Sequence, residues 1–198
     1  MARTIAKDHD KKRAHILKGA AKTFANEGFD RASMRQLALE CAVSKATIYH
    51  YYDSKDALLF DILDSYLAEL RDRVCGLDLV NQTPTEQLQS VVTEILIAYQ
   101  GMDHEHQIQA RSLTALPPEQ QTILRNYQRD LVRFVSDIIR AAAPAVFEGE
   151  TAKLHATTMS VFGMLNWYYM WNGDASIADR ERYAALVSGL VLEGINSL

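Results

Sequence analysis

The sequence predicts an all-α protein of about nine helices, with a small head over residues 1–54 and a larger helical body over residues 55–198. Apolar residues recur three and four positions apart through most of the chain, which is the period of an amphipathic helix. Small polar residues followed by Gln or Glu three positions later mark several helix starts. No stretch alternates apolar and polar residues as a half-buried strand would.

Composition and charge favour a soluble protein whose head meets an anionic partner. Hydrophobic residues make up 48% and charged residues 23% of the chain, as in ordinary globular domains. Residues 1–58 carry 11 Lys and Arg against 7 Asp and Glu, whereas the other 140 carry 10 against 18. A basic head can meet phosphate groups, and an acidic body is less suited to them.

Targeting and membrane signals are not apparent in the sequence. Two cysteines are too few for a disulfide scaffold. The N-terminus lacks the apolar run of a signal peptide. Residues 154–173 contain no Asp, Glu, Lys or Arg, but they contain His155 and several Thr and Asn side chains, which favours a helix buried in a bundle over a membrane span. We therefore expect a cytoplasmic protein with no membrane partner.

The head is predicted to contain three helices after a loose, polar arm over residues 1–10. The first helix covers residues 11–26 and stops at Gly28, where a left-handed backbone is accessible to glycine. Ser33 opens the second helix, and Ser44 opens the third. Each of these hydroxyls can accept a hydrogen bond from an otherwise unpaired N–H group in the first turn.

The body is predicted to contain six helices. The first of them begins at a cap formed by Asp53 or Ser54, and a later one at Thr83, with Pro84 in its first turn and Glu86 completing a capping box. The predicted ranges are residues 55–76, 83–102, 106–115, 118–143, 150–172 and 179–196.

The head carries a recognisable pattern. Residues 33–38 read SMRQLA, residues 43–52 read VSKATIYHYY and residues 54–59 read SKDALL. This pattern resembles the helix-turn-helix DNA-binding domain of the TetR family of transcriptional regulators. The resemblance implies a homodimer with two recognition helices in successive major grooves of a palindromic operator. It also implies a pocket in the body for a small-molecule effector that releases the repressor from double-stranded DNA.

We predict DNA contacts from the chemistry of the head and from this resemblance. Lys45 and Lys55 are cations beside helix N-termini, where phosphate is also favoured by backbone N–H groups. Arg35 is the candidate for a bidentate contact to guanine. The predicted DNA-binding residues are Ser33, Arg35, Ser44, Lys45, Ala46, Thr47, Tyr49, His50, Tyr51 and Lys55.

The head departs from the family pattern at two positions where glycine is usual, Ala42 in the turn and Ala46 in the recognition helix. If the backbone at residue 42 is left-handed, alanine costs about 1 kcal/mol there. The methyl group of Ala46 can contact a thymine methyl group, which glycine cannot reach.

The body carries a second informative stretch, FGMLNWYYMW over residues 162–171. The helical period of its apolar residues fits a helix that is buried in the core or in a dimer interface. It also looks like the penultimate helix of TetR-family regulators that respond to acyl-CoA thioesters, several of which have an arginine where this chain has Met170. The candidate pocket residues are Tyr99, Met102, Arg111, Asn166 and Trp167. The predicted dimer face comprises Val161, Gly163, Leu186, Val187, Leu190, Val191 and Gly194.

Catalysis and metal binding are poorly supported. His104 and His106 are two positions apart and would point to different faces of a helix, so we predict no metal site and no cofactor. No Ser/His/Asp arrangement or phosphate-binding glycine loop stands out, so we predict no enzyme. Two alternatives remain. One is a helical small-molecule-binding protein whose head no longer reads DNA, and the other is a metal- or redox-responsive sensor using Cys41.

Overall fold

A computed structural model describes residues 2–195 and residue 197, with side chains from residue 9 onward. The described residues form ten α-helices and one 3₁₀ turn, with no strand among them, and the all-α prediction is confirmed. The α-helices are α1 Ala2–Glu27, α2 Met34–Glu40, α3 Lys45–Tyr51, α4 Lys55–Cys75, α5 Pro84–Ala98, α6 Asp103–Ser112, α7 Pro118–Ala142, α8 Pro144–Phe147, α9 Thr151–Asn172 and α10 Ile177–Ile195, and the 3₁₀ turn is Leu113–Ala115.

Most helix boundaries fall near their predicted positions, with differences at the two ends of the chain. Helix α1 begins at Ala2, so the prediction of a loose arm over residues 1–10 is wrong. Residues 2–18 contain no Gly or Pro and are rich in Ala, Lys and Arg, so nothing in their sequence interrupts the helix. Pro144 ends α7 as predicted but also opens the short helix α8. Asn196, the predicted end of the last helix, lies outside the described residues.

The chain divides into two compact units. The first comprises residues 2–66 and 104–124, in which α1 packs on α2 and α2 packs on α3. Its buried core includes Ile16, Phe24, Leu37 and Ile48. The functional boundary that we predict after residue 54 stays a prediction.

The second unit comprises residues 67–103 and the described residues from 125 onward. Helix α10 packs along α5 and α9, and α5 also contacts α9. Val91, Ile95, Leu165 and Val187 are almost fully buried among these three helices. Among the described residues, no helix is both long and apolar enough to span a bilayer.

The turn between α2 and α3 contains the one left-handed residue other than glycine in the described chain. Ala42 has φ of 50°, in the region where the Cβ atom of an L-residue crowds the backbone. Its N–H group donates to the Leu39 carbonyl at 3.1 Å, and the next N–H group, of Val43, donates to the Ala38 carbonyl at 3.0 Å. The turn is therefore hydrogen-bonded in spite of the strain.

Replacing Ala42 with glycine is expected to stabilise the protein by about 1 kcal/mol, because glycine adopts this backbone without the Cβ penalty. For a protein of this size, the thermal midpoint should rise by about 2–4 °C. The matched control is Ala46→Gly, in the first turn of α3, which should lower the midpoint because glycine is the weaker helix former. An unchanged or lower midpoint for Ala42→Gly in a thermal unfolding scan would contradict the strain.

Candidate nucleic-acid interface

Serine side chains fix the starts of α2, α3 and α4. Ser33 Oγ accepts from Gln36 N at 3.3 Å, and Gln36 Oε1 accepts from Ser33 N at 2.9 Å, which completes the predicted capping box. Ser44 Oγ accepts from Thr47 N at 3.0 Å, and Ser54 Oγ accepts from Ala57 N at 3.1 Å. Ser54, rather than Asp53, therefore caps α4. These local bonds set where each short helix begins and hence which side chains share a face.

Helix α3 is anchored on one side and open to solvent on the other. Ile48 is fully buried, whereas Lys45, Ala46, Tyr49 and His50 are exposed. Thr47 is half-buried, and its hydroxyl is 2.8 Å from Ser44 Oγ at the cap. The Lys45 ammonium lies 5.6 Å from the centre of the Tyr49 ring. A seven-residue helix thus presents a cation, two hydrogen-bonding aromatic side chains and a methyl group on one accessible surface.

Arg35 and Lys55 lie in different environments. Arg35 is exposed, and its guanidinium forms no ion pair within the described chain. The Lys55 ammonium donates to the Phe29 carbonyl at 2.8 Å and to the Asp30 carbonyl at 3.1 Å, and it lies 4.5 Å from the centre of the Phe29 ring. Lys55 therefore fastens the loop after α1 to the start of α4, and a phosphate would have to share an ammonium group that already has two acceptors.

Tyr51 and Tyr52, at the end of α3, have different partners. The Tyr51 ring stacks on His9 of α1, with 4.7 Å between ring centres. Tyr52 is 8% exposed and belongs to the core, and its hydroxyl donates to Asp61 of α4. Burial raises the pKa of the Tyr52 phenol, and the hydrogen bond to Asp61 raises it further, so the hydroxyl stays protonated.

Asp61 joins three helices of the first unit and was not singled out from the sequence. Its carboxylate accepts two hydrogen bonds from Arg13 of α1 and one from the Tyr52 hydroxyl, and a third Arg13 bond reaches Ser65 of α4 at 3.3 Å. Because Tyr52 is the C-cap of α3, this junction holds the end of the exposed helix against α1 and α4. In the sequence, Asp61 lies outside the apolar stripe of α4, where a charged residue is ordinary, so no signal in the sequence marks it.

Among the candidate pocket residues, the structure brings Tyr99 and Asn166 together in the second unit. The Tyr99 hydroxyl donates to Asn166 Oδ1 at 2.8 Å, and burial raises the pKa of the Tyr99 phenol. Met102 is half-buried in the same unit. Arg111 is exposed and belongs to the first unit.

An exposed apolar face runs along α9 and α10. Trp167, a candidate pocket residue, is 62% exposed on α9, and Leu186 and Leu190 are 55% and 58% exposed on α10. Gly163 and Gly194 also lie at the surface, as the predicted dimer face requires. Val161 and Val187 do not, because they are buried within the protomer at 0% and 1% exposure, so their assignment to the dimer face is wrong.

Cys41 has the environment of a structural thiol. It is 1% exposed, and burial raises its pKa, which disfavours the reactive thiolate. The described residues include no group of three His, Cys, Asp or Glu side chains placed to hold a metal ion. These observations give no support to a metal- or redox-responsive sensor.

Two family models match the chain in succession. Residues 16–62 match the model described as bacterial regulatory proteins, tetR family. Residues 81–195 match the model described as the tetracyclin repressor-like C-terminal domain, which covers more than half of the chain. A curated relative of similar length is the HTH-type transcriptional regulator UidR of Escherichia coli K12, which is 28% identical over 182 residues, 90% of this chain and 88% of UidR.

Solved structures share the fold over nearly the whole chain. A TetR-family transcriptional regulator from Bordetella parapertussis 12822 is 31% identical, with a TM-score of 0.84 over 94% of this chain and 96% of that one. The regulator AibR, solved in complex with isovaleryl coenzyme A and operator DNA, is 23% identical, with a TM-score of 0.74 over 90% of this chain and 97% of AibR.

Proposed function

Because this chain belongs to the tetR family of bacterial regulatory proteins, we propose that it is a homodimeric repressor released from a palindromic operator by a small-molecule effector. The observation that carries the proposal is the exposed surface of α3, whose polar and aromatic side chains are unburied while Ile48 holds the helix in the core. Family matches to both the head and the body favour a DNA-binding regulator over a small-molecule-binding protein that has lost DNA recognition.

In the proposed complex, α3 lies in the major groove with its N-terminal residues toward the base edges. Lys45, Tyr49 and His50 donate to phosphate oxygens, and Arg35 reads a guanine from α2. Thr47, Ser33 and Ser44 hold the helix starts beside the backbone phosphates. Tyr51, supported by His9, lies at the far end of α3. Lys55 acts mainly by fixing the loop after α1, since two carbonyl groups already hold its ammonium group.

Ala46 is the proposed specificity determinant within α3. Its methyl group is exposed on the second residue of the helix, between Lys45 and Thr47. A thymine methyl group is the apolar feature of the major groove that such a side chain can contact. We therefore expect a thymine at the facing position of each half-site.

The proposed effector binds the body, and the dimer forms through the exposed face of α9 and α10. AibR in complex with isovaleryl coenzyme A and operator DNA supports an effector of the acyl-CoA or small hydrophobic class, with Tyr99 and Asn166 as the contacts that the structure brings together. Effector binding would favour a dimer state whose two heads no longer match the operator. Coupling of about 1–3 kcal/mol would change operator affinity roughly 5- to 150-fold.

The test begins with selection of preferred sequences from a random duplex library, followed by fluorescence anisotropy titrations. We expect a palindrome whose half-site centres are about one helical turn, roughly 10 base pairs, apart. Arg35→Ala should weaken operator binding by about 1–3 kcal/mol while leaving binding to random DNA nearly unchanged. Lys45→Ala should weaken binding to operator and to random DNA equally, and it should reduce the number of counterions released on binding by about one.

The matched control is Arg133→Ala, which removes an exposed arginine from α7, in the second unit. It should leave both DNA affinities and the salt dependence unchanged. Selection of no palindrome, or equal losses for Arg35→Ala and Arg133→Ala, would overturn the assignment of the interface.

A further inference from the structure

Arg180 is a buried arginine in the second unit, and its charge is not neutralised by an acid. Its side chain is 1% exposed, near the start of α10. It makes no ion pair with a carboxylate in the part of the chain that the structure describes. An interior cation costs several kcal/mol of solvation free energy unless hydrogen bonds and opposite charge compensate it. A place in the first turn of a helix adds to that cost, because the positive end of the helix dipole lies there.

The hydrogen bonds of Arg180 leave one edge of the guanidinium poorly satisfied. Nη1 donates to the Leu96 carbonyl in the last turn of α5 at 3.0 Å, which is a sound bond to a helix-terminal acceptor. Nε donates to the Ala175 carbonyl at 3.3 Å, which is long, and Nη2 is buried with no acceptor. Nε and Nη2 lie on the same edge of the planar group, and that edge fits the two oxygens of an oxyanion.

An aromatic cluster lies beside the guanidinium group of Arg180 and offers apolar contacts to a ligand bound there. The guanidinium carbon lies 5.6 Å from the centre of the Tyr168 ring, and Tyr168 stacks on Tyr183 with 4.4 Å between ring centres. Trp171 contacts both rings at 4.9 and 5.4 Å. Tyr99, at the C-cap of α5, is three residues beyond the Leu96 acceptor. Arg180 therefore belongs to the same end of α5 as the Tyr99–Asn166 pair.

We propose that the Nε–Nη2 edge of Arg180 binds an oxyanion of the effector, and that this oxyanion is the carboxylate of a small apolar acid. This inference rests on the proposed function, since it names the chemistry of the effector that acts on the body. The carboxylate would replace the long bond to Ala175 and give Nη2 an acceptor. Ala175 lies in the connection between α9 and α10, so the exchange would move the segment that joins the two helices.

The experiment measures the thermal midpoint of the full chain with sodium hexanoate, hexanamide or sodium phosphate, with ionic strength matched by sodium chloride. Hexanamide has the same tail without the charge, and phosphate offers an oxyanion without the tail. At a ligand concentration about 100 times the dissociation constant, the midpoint should rise by roughly 5–10 °C with hexanoate. Hexanamide should produce no comparable rise. A rise with phosphate alone would support the oxyanion site but assign it to a phosphate-bearing effector.

Two variants and one control isolate the guanidinium edge. Arg180→Met removes the charge at similar length and should fold, because an apolar side chain avoids the desolvation cost of a buried cation. It should lose the hexanoate response. Arg180→Lys keeps the charge but not the planar edge, so it should retain only a small part of the hexanoate response. This variant tests the same edge if Arg180→Met does not fold. Arg182→Met, an exposed arginine two residues away, should respond as the wild type does.

A purely structural role for Arg180 predicts a different outcome. In that case neither hexanoate nor phosphate stabilises the wild type, or hexanamide stabilises it equally, or Arg180→Met keeps the response, and each result overturns the proposal. Operator selection separates this failure from failure of the proposed function. If the protein selects a palindrome but none of the three probes stabilises it, the proposed repressor function stands and the Arg180 site is overturned. If an anion stabilises the protein but no palindrome is selected, the Arg180 site stands and the proposed repressor function is overturned.

Discussion

Replacing both Leu186 and Leu190 with glutamate is expected to reduce operator affinity on the order of 100-fold, because a monomer engages one half-site and forfeits the avidity of two linked contacts. Both side chains are more than half exposed in the single chain. They line a shallow surface cavity of about 630 Å³ on α10 together with Gly189 and Gly194. A two-fold contact here would bring four added carboxylates into one apolar interface, where like charges cannot be buried together.

The control for this prediction is the double variant Val80→Glu with Ile177→Glu. It adds the same charge at two apolar residues that are 86% and 49% exposed and do not line the α10 cavity. Light scattering after size exclusion should report a dimer for the wild type and the control, and a monomer for the Leu186/Leu190 variant. A dimeric Leu186/Leu190 variant with full operator affinity would show that the chain associates through another surface.

The sequence predicted those parts of the fold that depend on neighbouring residues. The capping boxes at Ser33 and Thr83 were predictable because donor and acceptor are three residues apart and neither needs a distant partner. The left-handed backbone at Ala42 was suggested only by the resemblance, which places a glycine at that position of the turn. The early start of α1 does not follow from polarity, because polar residues with good helix propensity extend a helix readily and a loose arm can have the same composition.

The parts of the site that depend on distant residues were not predictable from one sequence. Val187 is three positions from the exposed Leu190, and the helical period alone cannot tell whether the chain or a partner covers it. Val161 is two positions from the exposed Gly163 and therefore lies on the opposite side of α9, so the period already argued against its place on the dimer face. Arg180 looks like an ordinary charged residue on a helix. What distinguishes Arg180 is its buried hydrogen bond to the carbonyl group of Leu96, which lies 84 residues earlier in the chain. Asp61 was equally inconspicuous until α1 and the end of α3 were seen to share its carboxylate.

Gly19→Ala is expected to destabilise the protein by about 1–3 kcal/mol, the usual cost of overpacking a core, which would lower the thermal midpoint by roughly 2–12 °C. Gly19 lies in the middle of α1, where alanine would ordinarily be the better helix former by about 1 kcal/mol. A Cβ atom built there lies 2.6 Å from Cys41 Sγ and 3.6 Å from Cys41 Cα. The short Cys41 side chain is itself buried at 1% exposure, so the helices must separate to admit the methyl group.

A double-mutant cycle tests whether this contact causes the loss. Cys41→Ala removes the sulfur and should cost little more than a small cavity. Combined with Gly19→Ala, it should recover most of the lost stability, giving a favourable coupling free energy of about 1–2 kcal/mol measured by denaturant unfolding. Additive effects would mean that the methyl group clashes elsewhere. Because α2 carries Arg35 and begins the helix-turn-helix, the Gly19→Ala protein should also lose operator affinity, and the double variant should regain it, if close packing of α1 on α2 sets the position of the DNA-reading surface.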